Sequence, residues 1–175
     1  MLNIVGSIDN AWKTGEKVEV CHLLFLKDSF FEIEVPKLSE LSDSLKKFVG
    51  GITPGELNAP SGKRYNLGVT REEGRKHIDE LHRRGVESEK KLSDSTNNEE
   101  GVRKFPYSEV SKVTLVQGDE KGFSRIDISL GDQGNIDYRL MHSCFEDYGK
   151  LDTIDFIKYK AALKASLKDK LVVEK

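Results

Sequence analysis

Alternation of apolar and polar residues at strand spacing occupies two separate blocks of this chain, 18–35 and 107–140, and it constrains the fold more than any other feature. In the first block, the run Val18–Leu26 is apolar on both sides of an extended chain, which predicts a strand covered on both faces. After a short polar break, Phe30–Val35 alternates again, with Glu32 on the predicted outward side. This block therefore predicts a β-hairpin.

The second block contains the clearest hairpin signal of the chain. Residues 126–130 and 136–140 both alternate, and a glycine-rich loop joins them. Farther along, apolar residues recur at spacings of three and four from an N-cap at Asp152 to Leu171, which predicts a long terminal helix. Strands in two blocks, with helices segregated from them, predict an α+β fold. The predicted core consists of Val20, Leu24, Leu26, Phe31, Ile33, Val113, Leu115, Ile126, Ile128, Tyr138, Leu140, Phe156, Leu163 and Leu167.

The other segments carry weaker signals. Residues 1–17 show no clean period and predict an irregular arm with at most one short strand. Between residues 37 and 104 the strand pattern disappears. There Leu38, Leu41 and Leu45 repeat at helical spacing, which predicts one short amphipathic helix.

A second helix is predicted to open at Thr70, where Glu73 completes a capping box, and to extend for about fifteen to twenty residues. Its apolar content is thin, with Ile78 and Leu81 as the main groups. A helix of this kind is either mostly solvated or uses a narrow stripe against a partner. The segment 93–101 has no large apolar group, and we expect it to be mobile.

Size and composition exclude several classes of protein. A chain of 175 residues supports one independent core, so we expect a single domain over 1–175. With 28 basic and 30 acidic side chains the charge is mixed, which argues against a general nucleic-acid coat. No run of 18 apolar residues occurs, which argues against a membrane partner. Two cysteines do not form a disulfide framework, and the expected compartment is the cytoplasm.

The phrase FPYSEVSKV at residues 105–113 carries a resemblance to a known family. A hairpin, this phrase, a second hairpin and a terminal helix together resemble the prokaryotic pleckstrin-homology-like (PH-like) superfold. The resemblance implies a core of two packed antiparallel sheets capped by the C-terminal helix. It places that core in 17–35 and 102–171, with 37–101 as a helical insertion. The phrase itself is expected to set a corner of the chain, because Pro106 fixes one backbone dihedral and restricts the residue before it.

The residue types that bind metals do not converge in the sequence. On the second helix, His77 and His82 are five residues apart and diverge by about 140° around the helix axis. Adjacent Cys21 and His22 point to opposite faces of a strand. We therefore predict no metal site, no cofactor and no catalytic residue. A metal-dependent or thiol-based enzyme that uses His142 and Cys144 stays open as an alternative function.

The leading functional hypothesis is a non-enzymatic interaction module that binds a protein partner or self-associates. Basic residues concentrate on the second helix, and the apolar stripe of the first helix must be covered by something. Phosphate or nucleic-acid binding through the basic helix 71–91 is a second alternative, but interleaved acidic residues argue against it. The predicted interaction residues are Arg71, Arg75, Lys76, Arg83, Arg84, Leu38, Leu41 and Leu45.

Overall fold

The computed structural model describes residues 2–13, 18–35, 71–94, 100–118, 124–140 and 153–174, with isolated positions at 15, 42, 43 and 47. Two helices and eight strands lie in these ranges. In chain order they are β1 (Ile4–Lys13), β2 (Glu19–Leu26), β3 (Ser29–Glu34), α1 (Arg71–Asp94), β4 (Val102–Pro106), β5 (Lys112–Val116), β6 (Arg125–Ser129), β7 (Asn135–Leu140), α2 (Thr153–Leu167) and β8 (Leu171–Glu174).

The fold is α+β, with all eight described strands in one mixed sheet of order β4-β3-β2-β1-β7-β6-β5-β8. Neighbouring strands are antiparallel except for the parallel pair β5 and β8. Two separate sheets were expected. Hydrogen bonds join the two halves because β1 pairs with β2 on one side and with β7 on the other.

The predicted irregular arm is wrong, because residues 4–13 form the ten-residue strand β1 in the middle of the sheet. The register of β1 against β2 shifts between Ile4 and Gly6 and again between Ile8 and Ala11. Each shift inserts an unpaired residue and reverses the side on which the following side chains lie. The strand therefore lacks the clean two-residue period that identifies strands in a sequence.

The core prediction is confirmed at nearly every position. Each predicted core residue is buried except Phe31, which is partly exposed. The main core cluster joins buried residues of β1, β2 and β3 with residues of β5, β6, β7 and α2. One sheet encloses this core because it curls, so that the inner faces of its two halves meet.

The terminal helix is confirmed but ends earlier than predicted. α2 stops at Leu167, where a 3₁₀ turn follows with Lys168 at φ +44°, and Leu171 begins β8. Helix α2 lies so close to β1 that a Cβ added at Gly6 would be 2.7 Å from the Cβ of Ala162. Glycine at this position therefore allows the helix to pack directly on the strand.

The corner predicted for the phrase at 105–113 is confirmed by a 3₁₀ turn at Tyr107–Glu109 that follows β4. The Tyr107 hydroxyl donates to the Leu26 carbonyl oxygen at 2.8 Å, and the Tyr107 amide donates to the Asp28 carbonyl oxygen at 2.9 Å. From the other end of the chain, Lys170 Nζ donates to the carbonyl oxygens of Tyr107 and Val110. The corner thus connects the first hairpin to the C-terminal segment.

Candidate functional site

Helix α1 confirms the predicted second helix and is longer than expected, with 24 residues. Its buried positions form one narrow stripe, which the sequence spaces at three, four or seven residues: Gly74, Ile78, Leu81, Gly85 and Leu92. The stripe lies on the face of β1, β2 and β3 that points away from the main core. Gly85 allows close approach of the helix to β2, since a Cβ at this position would lie 2.6 Å from His22 Nδ1.

Polar side chains join α1 to the sheet at two places. Buried His22 of β2 contacts Glu89 of α1, with 2.8 Å between Nε2 and Oε2. Asp9 of β1 contacts His82 of α1 through Nδ1 of the ring. The second oxygen of Asp9 accepts a hydrogen bond from Tyr159 of α2 at 3.2 Å, so this carboxylate contacts both helices.

The local backbone explains how Asp9 reaches both helices. Asp9 and Asn10 lie at the second register shift of β1, and Asn10 adopts a left-handed conformation with φ +50°. Asparagine tolerates this conformation better than most residues do. The Asn10 amide donates to the carbonyl oxygen of Ile78, one helical turn before His82. The shift therefore directs polar groups of β1 toward α1.

The outward side of α1 carries an ionic network of both signs. Arg83 pairs with Glu80 at 2.7 Å and also with Glu87, and Arg84 pairs with Glu80 at 2.8 Å. Hydrogen bonding to Arg83 is the largest cause of a lowered pKa at Glu80. Exposed pairs of this kind contribute little to stability.

The predicted interaction residues fall into three groups. Arg75, Lys76 and Arg83 are exposed on α1, and Arg84 is partly buried. Arg71 begins the helix, but its side chain lies outside the described residues. Leu38, Leu41 and Leu45 also lie outside the described residues, as does the predicted first helix around them apart from the isolated positions 42, 43 and 47.

A second polar cluster, which the sequence did not predict, surrounds Glu32 inside the curled sheet. The Glu32 carboxylate contacts Lys13 Nζ at 2.9 Å and Arg103 at 2.6 Å, and it accepts a hydrogen bond from Tyr138. Glu32 was predicted to face outward, yet its side chain is only 2 % exposed. Two cations and a phenol compensate for the burial of its charge, and alternation within one strand cannot reveal such partners.

This cluster acts on the ionisation of its neighbours. Burial lowers the pKa of Lys13, but the hydrogen bonds to Glu32 and Glu19 and the charge of Glu32 outweigh burial, so the pKa of Lys13 is raised. Burial, together with the nearby Glu32 charge, raises the pKa values of Cys21 and Tyr138 well above their usual ranges. Burial and the raised pKa both disfavour the thiolate form of Cys21, which is the reactive form of a cysteine.

The structure does not test the alternative of a metal-dependent or thiol-based enzyme. His142 and Cys144 lie outside the described residues. In the part of the chain that the structure describes, no group of three or more His, Cys, Asp or Glu side chains is placed to hold a metal ion. Within the same part, no helix is long and apolar enough to cross a membrane.

Comparison of the chain with protein-family models, with curated proteins and with solved structures finds no match.

Proposed function

We propose that this chain is a non-enzymatic interaction module that binds a protein partner or self-associates through the outward face of α1. The observation that carries the proposal is the division of α1 into a narrow stripe against the sheet and a broad charged surface. Rigid helices that carry charges of both signs recognise surfaces with a complementary charge pattern.

The pairing of charges along α1 supports a protein surface rather than a phosphate backbone as the binding target. Arg83 and Arg84 already contact Glu80, and Lys76 contacts Glu72 at 3.2 Å. A phosphate that approaches these cations also meets the carboxylates, which repel it. A protein partner can satisfy both signs at once.

The finer part of the proposal is a PH-like core into which α1 is inserted. Support comes from the curled sheet, from α2 packed into its core, and from the corner at Tyr107–Glu109 between the two halves. Helix α1 follows β3 and precedes β4, which pair with each other in the sheet. The connection between two neighbouring strands is a place where an insertion leaves the sheet pairing unchanged.

The test reverses the charge of α1 with the triple variant R75E/R83E/R84E. A matched control, K158E/K160E/K164E, makes the same change in net charge on exposed positions of α2. Because reversal also places like charges beside Glu80, a neutral variant, R75Q/R83Q/R84Q, separates loss of a partner from repulsion within the helix.

We expect wild type and the α2 control to show the same association in sedimentation velocity and the same capture of a binding protein from an extract of the native cells. Both α1 variants should lose at least about tenfold in binding, with nearly unchanged melting temperatures, because exposed charges contribute little to folding. Equal association of all four proteins, or no association of wild type with itself or with any captured protein, would overturn the proposal.

A further inference from the structure

We propose that α1 is a releasable cover, which can leave the face of β1, β2 and β3 while the rest of the fold stays intact. This inference does not rest on the proposed interaction function. Its first support is the division of the core: among the described residues, the main core cluster contains members of six strands and of α2 but none of α1. Release of α1 therefore leaves that cluster closed.

Helix α1 contributes few large apolar side chains to this contact for a helix of its length. Over its 24 residues, the large apolar side chains that it buries are Ile78, Leu81 and Leu92. Leu92 joins Leu24, Leu26 and Ile33 in a separate small cluster, which includes no residue of the main core. By contrast, the shorter helix α2 places Phe156, Tyr159, Leu163 and Leu167 in the main core.

Besides the hydrogen bond from Asn10 to Ile78, two histidine–carboxylate pairs join α1 to the sheet, with the roles of sheet and helix reversed between them. At one pair the sheet contributes His22 and the helix Glu89; at the other the sheet contributes Asp9 and the helix His82. The two helix residues are seven positions apart and lie on the same side of α1. Such polar groups exchange their partners for water when the helix leaves, so the contacts fix the position of α1 more than they resist its release.

Two buried polar atoms at this interface weaken the docked state. Within the described residues, neither Asn10 Oδ1 nor His22 Nδ1 has a hydrogen-bond partner. Both belong to residues that α1 covers, since Asn10 donates to Ile78 and Gly85 lies over the His22 ring. Water reaches both atoms once the helix moves away, and the cost of leaving them unsatisfied is then removed.

Hydrogen exchange of the full chain, followed by mass spectrometry, tests the inference. In wild type, amides of α1 should exchange at least about tenfold faster than amides of β6, in a separate opening event. If amides of α1 and β6 exchange at the same rate and with the same dependence on denaturant, the proposal is overturned. Both elements would then open only in global unfolding.

A disulfide that links α1 to β2 provides the matched control. A Cβ at Gly85 would lie 3.3 Å from the His22 Cβ, close to the separation that a disulfide requires. In a C144S background, oxidised H22C/G85C should slow the exchange of α1 at least about tenfold relative to the same variant after reduction. Equal exchange of the oxidised and reduced forms would contradict release of α1.

A second variant, G85V, forces the helix away from His22 while changing no residue of the main core. We expect α1 to lose its protection in this variant while β6 keeps its own. Loss of protection in both elements, or an unfolded chain, would show that α1 is an inseparable part of the fold.

Discussion

The phenol of Tyr138 in β7 donates a hydrogen bond to the carboxylate of Glu32 in β3, although β1 and β2 lie between these strands in the sheet. Neighbouring strands are about 4.8 Å apart, so a flat sheet would hold the two strands at a separation of about 14 Å. The contact therefore requires the sheet to curl. It also places a buried acid at the point where the two halves of the sheet meet.

The first prediction concerns this acid. Replacement E32A should lower the free energy of unfolding by about 3–5 kcal/mol, because it removes the carboxylate that compensates Lys13 inside the protein. Replacement Y138F should cost about 1–3 kcal/mol, since Glu32 loses one buried donor. Urea denaturation followed by circular dichroism measures both. The control is E34A, at an exposed position of the same strand, and an equal loss in E34A and E32A would contradict the assignment.

The second prediction concerns the contact between β1 and α2. Because a Cβ at Gly6 would lie 2.7 Å from the Cβ of Ala162, G6A should lower the free energy of unfolding by about 1–3 kcal/mol. The double variant G6A/A162G removes the opposing methyl group. Its free energy of unfolding should therefore be close to that of A162G alone, because G6A then causes no clash. A double-mutant cycle by urea denaturation measures this coupling, and additive losses would show that the helix does not pack there.

The third prediction concerns the centre of the main core. Ile128 is fully buried, so I128A should lower the free energy of unfolding by about 2–5 kcal/mol. Val172 of β8 is 39 % exposed and serves as the matched control, and V172A should cost much less. Similar midpoint shifts for the two variants in thermal or urea denaturation would contradict the position of β6 in the core.

The fourth prediction concerns pH. Asp127 and Asp137 are directly opposite each other on β6 and β7, and burial, followed by the charge of Asp127, raises the pKa of Asp137 above its ordinary value of 3.8. The folded state therefore holds this proton to higher pH than the unfolded state does. Binding of this proton stabilises the folded state fully below the ordinary pKa of an aspartate. The stabilisation is lost as pH rises through the raised pKa of Asp137 in the folded state.

We therefore expect D137N to stabilise the protein at pH 7 by a few tenths of a kcal/mol, because solvent screens part of the repulsion. Below pH 3.8, where Asp137 of the wild type is protonated and uncharged, the difference between variant and wild type should disappear. Thermal denaturation across this pH range measures it, with D132N in the exposed hairpin turn as the control. A constant difference at all pH values would exclude ionisation of Asp137 as the cause.

The fifth prediction concerns the thiol of Cys21, which is buried and whose pKa is raised. In a C144S background, a thiol reagent should modify Cys21 only as fast as the chain opens, and denaturant should accelerate labelling in proportion to opening. Rapid labelling of the native protein would show that Cys21 is accessible and reactive in the folded state.

The elements whose periodicity is local could be predicted from the amino-acid sequence alone. The strand pattern of 18–26, the hairpin of β6 and β7, and the apolar stripe of α2 all follow from side-chain spacing within one segment. The corner at Tyr107–Glu109 was also predictable, because proline restricts its own backbone and that of the residue before it.

The place of β1 in the sheet, the burial of Glu32 and the docking of α1 depend on contacts between distant segments of the chain. Register shifts hide the period of β1, so its central position depends on pairing with strands on both sides. Glu32 is buried because Lys13, Arg103 and Tyr138 converge on it from three other strands. The contact of α1 with the sheet likewise depends on Asp9 and His22, which lie 73 and 67 residues along the chain from their partners in the helix. A buried charge is stabilised by partners from distant segments of the chain. The spacing of residues within one segment therefore cannot reveal it.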